Sequence, residues 1–272
     1  MKFENKLYFF DKTMYNEITF AVGLMKLITH IGSYFLLLSQ VFNRPERWSI
    51  FKKRIIDEID KIGIQSIGIV ALIAIFMGAV ITIQTAAQID AGSFIPLYTI
   101  GFSTRQIMLL EFAPTIIPVI LAGKVGSNIS SEIGSMRITE QIDALDIMGI
   151  NSANYLVLPK IIAAMFIFPF LIIMAIFLGI ASGGFVGSMA GVVSMDDYIY
   201  GIQYDFRPYQ VAYALIKTIV FAFIITTISS YYGYRVKGGA LEVGRASTQA
   251  VVYGIVLIMT FNVIITQIFL LD

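Results

Sequence analysis

Residues 62–89 contain no charged side chain, and they are only one of several apolar blocks in this chain long enough to cross a bilayer. A helix needs about 20 such residues to traverse the hydrocarbon. In lipid every backbone polar group must be satisfied within its own segment, so these blocks restrict the fold to a bundle of spanning helices. Charged residues make up 14% of the 272 residues, against about a quarter in soluble domains. The sequence therefore predicts an all-α polytopic membrane protein. A net charge of +1 gives no argument for nucleic-acid binding, and the absence of cysteine removes disulfide and thiolate chemistry.

Taken in order, residues 1–15 are mixed and predicted to be mobile, and 17–42 are moderately apolar, interrupted by Lys26, His30, Ser33 and Gln40. The lone His30 takes no role. From Arg44 to Lys61, six basic residues alternate with Trp48, Ile50, Phe51, Ile55, Ile56 and Ile59, which suits an N-terminal amphipathic helix lying in the headgroup layer. The alternative is a spanning helix over 18–42. Spans follow at 62–86, from Gln106 to about Ala122, over 160–193, at 211–232 and at 248–271, with a loop at 89–104. The block at 160–193 is some 50 Å of helix at about 1.5 Å per residue, long enough for two spans. Loop charges decide for one. They leave Asp196, Asp197 and Asp205 outside and Arg235, Lys237 and Arg245 inside, as the positive-inside tendency requires. On this arrangement sixteen lysines and arginines lie inside and two, Arg105 and Arg207, outside. The N-terminus is then cytoplasmic and the C-terminus external. Glycines at 179, 183, 187 and 191 recur every fourth residue and predict a bare ridge for close helix packing.

Two features carry chemistry. Glu111 lies within the second span, one and two turns before Pro114 and Pro118. A carboxylate at that depth costs roughly 2.5–3.5 kcal/mol at mid-bilayer and faces a bundle interior or wet cavity. It either lines a path for a polar headgroup or a proton, or is a structural partner for Arg105 or Lys217. The prolines bend the helix and leave carbonyls without donors. Beyond the span, Thr139 is placed to cap a helix from Glu140 that ends at Gly149. In it Glu140, Asp143 and Asp146 form an acidic stripe beside Ile142, Leu145 and Met148, a two-sided pattern suited to docking in a groove of a soluble partner. Gly244 to Thr248 offer small residues and Arg245 at a helix start, a setting for a lipid phosphate or a neighbouring helix end. Gly123-Lys124 fails as a phosphate loop, because Pro118 and Val125 occupy its first glycine and its Ser/Thr positions. No nucleophile–base pair or metal-ligand cluster is present in the sequence, so an enzyme is not expected.

The runs Ala-Gly-Lys-Val-Gly-Ser at 122–127, Ser-Glu-Ile-Gly-Ser-Met-Arg at 131–137, Thr-Glu-Gln-Ile-Asp-Ala-Leu-Asp-Ile-Met-Gly at 139–149, Asn-Tyr-Leu-Val-Leu-Pro at 154–159 and Gly-Arg-Ala-Ser-Thr-Gln-Ala-Val-Val at 244–252 resemble the MlaE (YrbE-like) permease family over residues 45–272. The resemblance implies one permease domain over 1–272, with a cytoplasmic and interfacial region to residue 61 and a bundle of five spans beyond. It implies a homodimeric membrane subunit of an ATP-binding-cassette (ABC) transporter in a bacterial inner membrane, without a cofactor of its own. Its cargo would be phospholipid. Its partners would be a cytoplasmic ATPase, a periplasmic MCE-domain protein and, in many systems, a STAS-domain protein. By motif position it implies that Ile81, Gln84, Glu111 and Phe112 line a lipid pocket at the dimer interface. Thr139, Glu140, Gln141, Ile142, Asp143, Leu145 and Met148 would form the helix that couples to the ATPase. Leu110 stands where many members have arginine. The alternative is an ion-coupled carrier or channel with Glu111 as its proton site.

Overall fold

In a computed structural model, residues 25, 28–43, 48–89 and 95–270 are described; the expectation for residues 1–15 lies outside them. The described residues form helices and connections without strands. Five helices are long and apolar enough to cross a membrane: Phe51–Ala87, Tyr98–Ile138, Ser152–Met189, Pro208–Tyr234 and Ala240–Phe269, here spans 1 to 5. The long third block is one helix, as the loop charges required. All five run beyond the sequence-predicted limits at one or both ends. The greatest extension is at span 2, where helix α4 (Tyr98–Ile107) already begins inside the predicted 89–104 loop.

Residue 61, the expected edge of the N-terminal region, lies inside a continuous helix. Helix α2 (Trp48–Ile59) passes through a π turn at Asp60–Ile64 into α3 (Gln65–Ala87) without a break. No proline interrupts this stretch, and the π turn widens the helix by one residue instead of ending it. A further helix, α1 (residues 28–41), is tied to the ends of spans 3 and 4. Tyr34 donates to Thr227 Oγ1 at 2.8 Å, and the Asn151 and Asn154 amides donate to the carbonyls of Gln40, Asn43 and Val41. Ile28, Ile31, Phe35 and Leu36 point outward from it.

Spans 1 and 3 form the closest helix pair. A Cβ on Gly78 would lie 1.9 Å from the Gly179 carbonyl oxygen, and Gly183 and Gly187 lie against Thr82. Three of the four ridge glycines therefore lie against span 1, Gly179 and Gly183 with its backbone within reach and Gly187 against the Thr82 side chain. Gly191 lies past the helix end with φ +70°, a conformation that suits a residue without Cβ. Helix α9 (Met195–Gln203) folds back over α4, and Tyr198 donates to the Ile180 carbonyl at 2.9 Å. Burial pushes the Tyr198 hydroxyl pKa upward, against the pull of its hydrogen bonds.

At the end of the bundle that carries residues 139–151, called basal here, Lys160 of span 3 meets Glu58 at 2.7 Å and Glu132 at 2.5 Å, with Lys61 3.2 Å from Glu132. This ties spans 1, 2 and 3 together. Span 4 is the most enclosed and span 5 the least: 61% and 17% of their apolar windows are buried, with 33% for span 1. Spans 1 and 5 thus keep wide faces free of contact with the other described residues.

Candidate functional site: a half-open carboxylate and a basal foot

Span 2 is not a uniform helix. Between α4 and the short α5 (Ile117–Leu121), residues Met108–Ile116 adopt π geometry, as do Ala122–Gly126 before α6 (Ser127–Ile138). The cause of the first is Pro114, which offers no N–H to the carbonyl four residues back, that of Leu110. The chain widens there, and the Ile117 N–H donates to Phe112 O, five residues earlier. Lys217 of helix α10 (Pro208–Tyr234) donates to the Leu110 carbonyl at 3.2 Å. The same ammonium lies 3.0 Å from Glu111 Oε1 and 4.8 Å from the centre of the Tyr213 ring. Glu111 Oε2 lies 3.2 Å from Thr115 Oγ1, whose one hydroxyl proton is shared with Asn262 Oδ1 at 3.0 Å, and accepts from Asn262 Nδ2 of helix α11 (Ala240–Leu270) at 3.4 Å.

The two charges differ in access. The Lys217 side chain is fully buried, whereas that of Glu111 is 47% exposed. The carboxylate is therefore fixed from one side by a cation and two neutral donors and open on the other. Of its two candidate partners, Lys217 takes the role. Arg105 is buried elsewhere, donating to the carbonyls of Ile202, Tyr204 and Asp205 at and just past the end of α9. Of the remaining pocket candidates Gln84 is exposed, while Ile81 and Phe112 are covered within the chain's own core. Thr115 and Asn262 were missed by sequence reasoning. Thr115 sits one turn from Glu111, and Asn262 is a polar residue deep in an apolar helix, so both signals were present.

The basal foot follows α6. Thr139 does not cap the next helix; its hydroxyl bonds back to Ser135 O at 2.8 Å and closes α6. Glu140 then turns the chain with φ +59°, helix α7 runs Gln141–Ile147, and Gly149 ends it at φ +77°. The apolar stripe divides. Ile142 is fully buried and Leu145 partly so, while Met148 and Ile147 are exposed. Asp143 pairs with Arg137 at 2.6 Å, and Asp146 accepts from the Ser152 N–H at 3.4 Å. The outward surface of the foot is Thr139, Glu140, Gln141, Ala144, Asp146, Ile147 and Met148. Ile147 was missed because its spacing belongs to neither stripe.

A family model described as Permease MlaE matches residues 55–268. A probable ABC transporter permease protein of Rickettsia bellii is 34% identical over 248 residues, 90% of this chain and 94% of that one. A probable ABC transporter permease protein of Synechocystis is 33% identical, over 84% and 86% of the two chains. The Arabidopsis thaliana chloroplast protein named TRIGALACTOSYLDIACYLGLYCEROL 1 is 29% identical, over 86% of this chain and 66% of its own. With five spanning helices and this match over most of its length, the chain is a multi-pass membrane protein and belongs to the MlaE permease family of ABC transporter permeases.

Proposed function

We propose that the chain is the membrane subunit of an ATP-driven lipid transporter, working as a homodimer in a bacterial inner membrane. It passes phospholipid, or a related lipid, between that membrane and a periplasmic MCE-domain protein. ATP is hydrolysed by a separate cytoplasmic ATPase, in some assemblies alongside a STAS-domain protein, and not by this chain. The observation that carries the reading is the half-open Glu111 carboxylate, held by a fully buried Lys217 in a span widened at a proline. Carboxylate oxygens only accept hydrogen bonds, so this group favours a head group bearing an ammonium or hydroxyl. The free faces of spans 1 and 5 flank span 2 and suit a second copy, which would complete a pocket from Ile81, Gln84, Glu111 and Phe112. The name of the Arabidopsis relative is that of a glycolipid, which agrees with a lipid cargo.

The foot at Thr139–Gly149 is then the contact with the ATPase. Closure of the motor on ATP tilts α7, and the continuous backbone through α6 and the two π segments of span 2 carries that displacement to Glu111. The positive-inside tendency, applied to the sixteen lysines and arginines of the N-terminal region and the two loops on its side against two in the opposite loops, favours a cytoplasmic foot. Lipid transfer from vesicles to the MCE partner tests the site. Glu111→Lys places a cation beside Lys217 and is expected to abolish transfer while the complex still assembles; unchanged transfer removes Glu111 from the mechanism. Glu140→Lys with Asp143→Lys is expected to end co-purification with the ATPase. The chain has no cysteine, so Glu140→Cys supplies a single thiol. Its labelling by an impermeant reagent from the periplasmic side would overturn the orientation.

A further inference from the structure

Away from spans 1 and 5, the outer wall of the bundle carries an apolar groove of about 510 Å³. One side is the face of span 3 from Ile173 to Gly184. The other is α9, which contributes Met195, Tyr198, Ile199 and Ile202. Leu109 of span 2 and Val211 of span 4 complete the lining. No lining side chain is charged, and the single polar group among them, the Tyr198 hydroxyl, already donates to the Ile180 carbonyl at 2.9 Å. The groove therefore offers nothing to an ion or a head group. It offers apolar contact from several sides at once.

The α9 wall is fixed in place. Arg105 donates to the carbonyls of Ile202 and Tyr204 at 2.6 and 3.0 Å, and Tyr198 ties the helix to span 3. A Cβ on Gly201 would lie 2.0 Å from the Tyr98 carbonyl oxygen, so α9 rests directly on the backbone of α4. A wall held by backbone contact does not fold inward to fill the space beside it. Ile173, Phe177 and Ile199 stay exposed along the opening.

Length and depth select the occupant. Ile173 lies just past the middle of span 3 (Ser152–Met189), and Gly184 lies about 16 Å farther along it at about 1.5 Å per residue. That is close to the depth of one leaflet, half of the roughly 30 Å of hydrocarbon. α9 closes the groove at its far end, where a Cβ on Gly184 would be 2.7 Å from the Tyr198 ring. Beyond it Tyr200 and Tyr204 gather around Tyr98, with ring centres 5.2 and 5.0 Å away. Tyrosines at the end of spanning helices mark the boundary between hydrocarbon and head groups. A neighbouring spanning helix would need a groove through the full hydrocarbon thickness, whereas an acyl chain needs one leaflet.

We propose that this groove seats one acyl chain of a phospholipid in the leaflet on the α9 side. Lipid tails are as apolar as the lining side chains, so what holds the chain is close contact on several sides and not escape from water. The site holds for either orientation of the bundle. Neither span 1 nor span 5 lines the groove, so a second copy placed on those spans leaves it open. It is separate from Glu111 and requires only that the bundle sits in a membrane.

The test uses the full chain in vesicles of phosphatidylethanolamine or phosphatidylglycerol carrying a photoreactive diazirine on one acyl chain, with labelled residues mapped by mass spectrometry. Phe185 and Ile216, exposed residues of spans 3 and 4 in the same half of the bundle but outside the groove, are the controls. Labelling at Ile173, Phe177 and Ile199 is expected to exceed theirs about fivefold. Ala181→Trp fills the groove from an exposed lining position and is expected to remove that excess while the controls keep their label. Even labelling of groove and control residues in the parent chain, a result that needs no variant to fold, overturns the proposal. Excess labelling that survives Ala181→Trp overturns it as well. Labelling that follows the head group also counts against it, since no charged side chain lines the groove. Groove residues labelled in the chain alone but shielded when partner subunits co-purify would reassign the groove to a protein helix. Failure of Glu111 in the transfer assay leaves the labelling pattern of the parent chain intact, so the two readings fail separately.

Discussion

Two lysines are buried among the described residues, and they are neutralised in opposite ways. Lys160 at the basal end is shared by two carboxylates from different helices, and a second, exposed lysine lies beside both, 3.2 Å from Glu132 and 4.0 Å from Glu58. Lys217 in the far half of the bundle has one carboxylate, and that carboxylate is half open. A buried ammonium needs a counter-charge because its desolvation is worth several kcal/mol. Where the counter-charge is duplicated, the cluster acts as a knot that fixes spans 1, 2 and 3. Where it is single and open on one side, the same physics leaves an anion free to take a further partner. Charge burial therefore serves anchoring at one end and leaves a reactive face at the other.

Glu111→Leu should break this contrast most strongly. It strands Lys217 with the Leu110 carbonyl as its remaining oxygen contact and should cost about 3–5 kcal/mol, read as a fall in melting temperature of the purified chain. Adding Lys217→Met should return most of that stability while lipid transfer stays lost; recovery of both would make the pair purely structural. Lys160→Met should cost less, about 2–3 kcal/mol, because Glu58 and Glu132 both keep partial access to water and Lys61 remains beside them.

The proline-freed carbonyls sharpen the comparison. Pro159 does to Tyr155 what Pro114 does to Leu110, and in each case a basic side chain meets the vacated oxygen: Arg54 at 2.6 Å and Lys217 at 3.2 Å. Arg54→Leu should cost about 1.5–3 kcal/mol and much less in a Pro159→Ala background, where the backbone N–H returns. Equal costs in both backgrounds would show that the guanidinium acts through its stacking on the Tyr155 ring, 3.4 Å away. The smallest effect belongs to Lys61→Ala, at most about 1 kcal/mol for an exposed ion pair.

Legibility in the sequence followed the range of the interactions. The five spans, the single third helix and three of the four ridge glycines were readable because each rests on a local property: block length, loop charge or a period of four. Glu111 was readable as a costly charge, and Lys217 as one of two partners for it. Thr139 was misread because a hydroxyl caps a following helix or closes a preceding one with equal chemistry. The left-handed turn at Glu140 decides between them. The inward turn of Ile142 and the exposure of Ile147 likewise depend on where α7 meets the bundle.

By itself the sequence determined that this chain crosses a membrane as helices and where its costly charge lies, because hydrocarbon penalises every polar group regardless of its neighbours. Tertiary structure alone decided which cation answers Glu111 and which carbonyls the prolines hand to basic side chains. Those outcomes join residues separated by about a hundred positions or more in sequence, as Glu111 and Lys217 are. The helices must be packed before any such pair can meet.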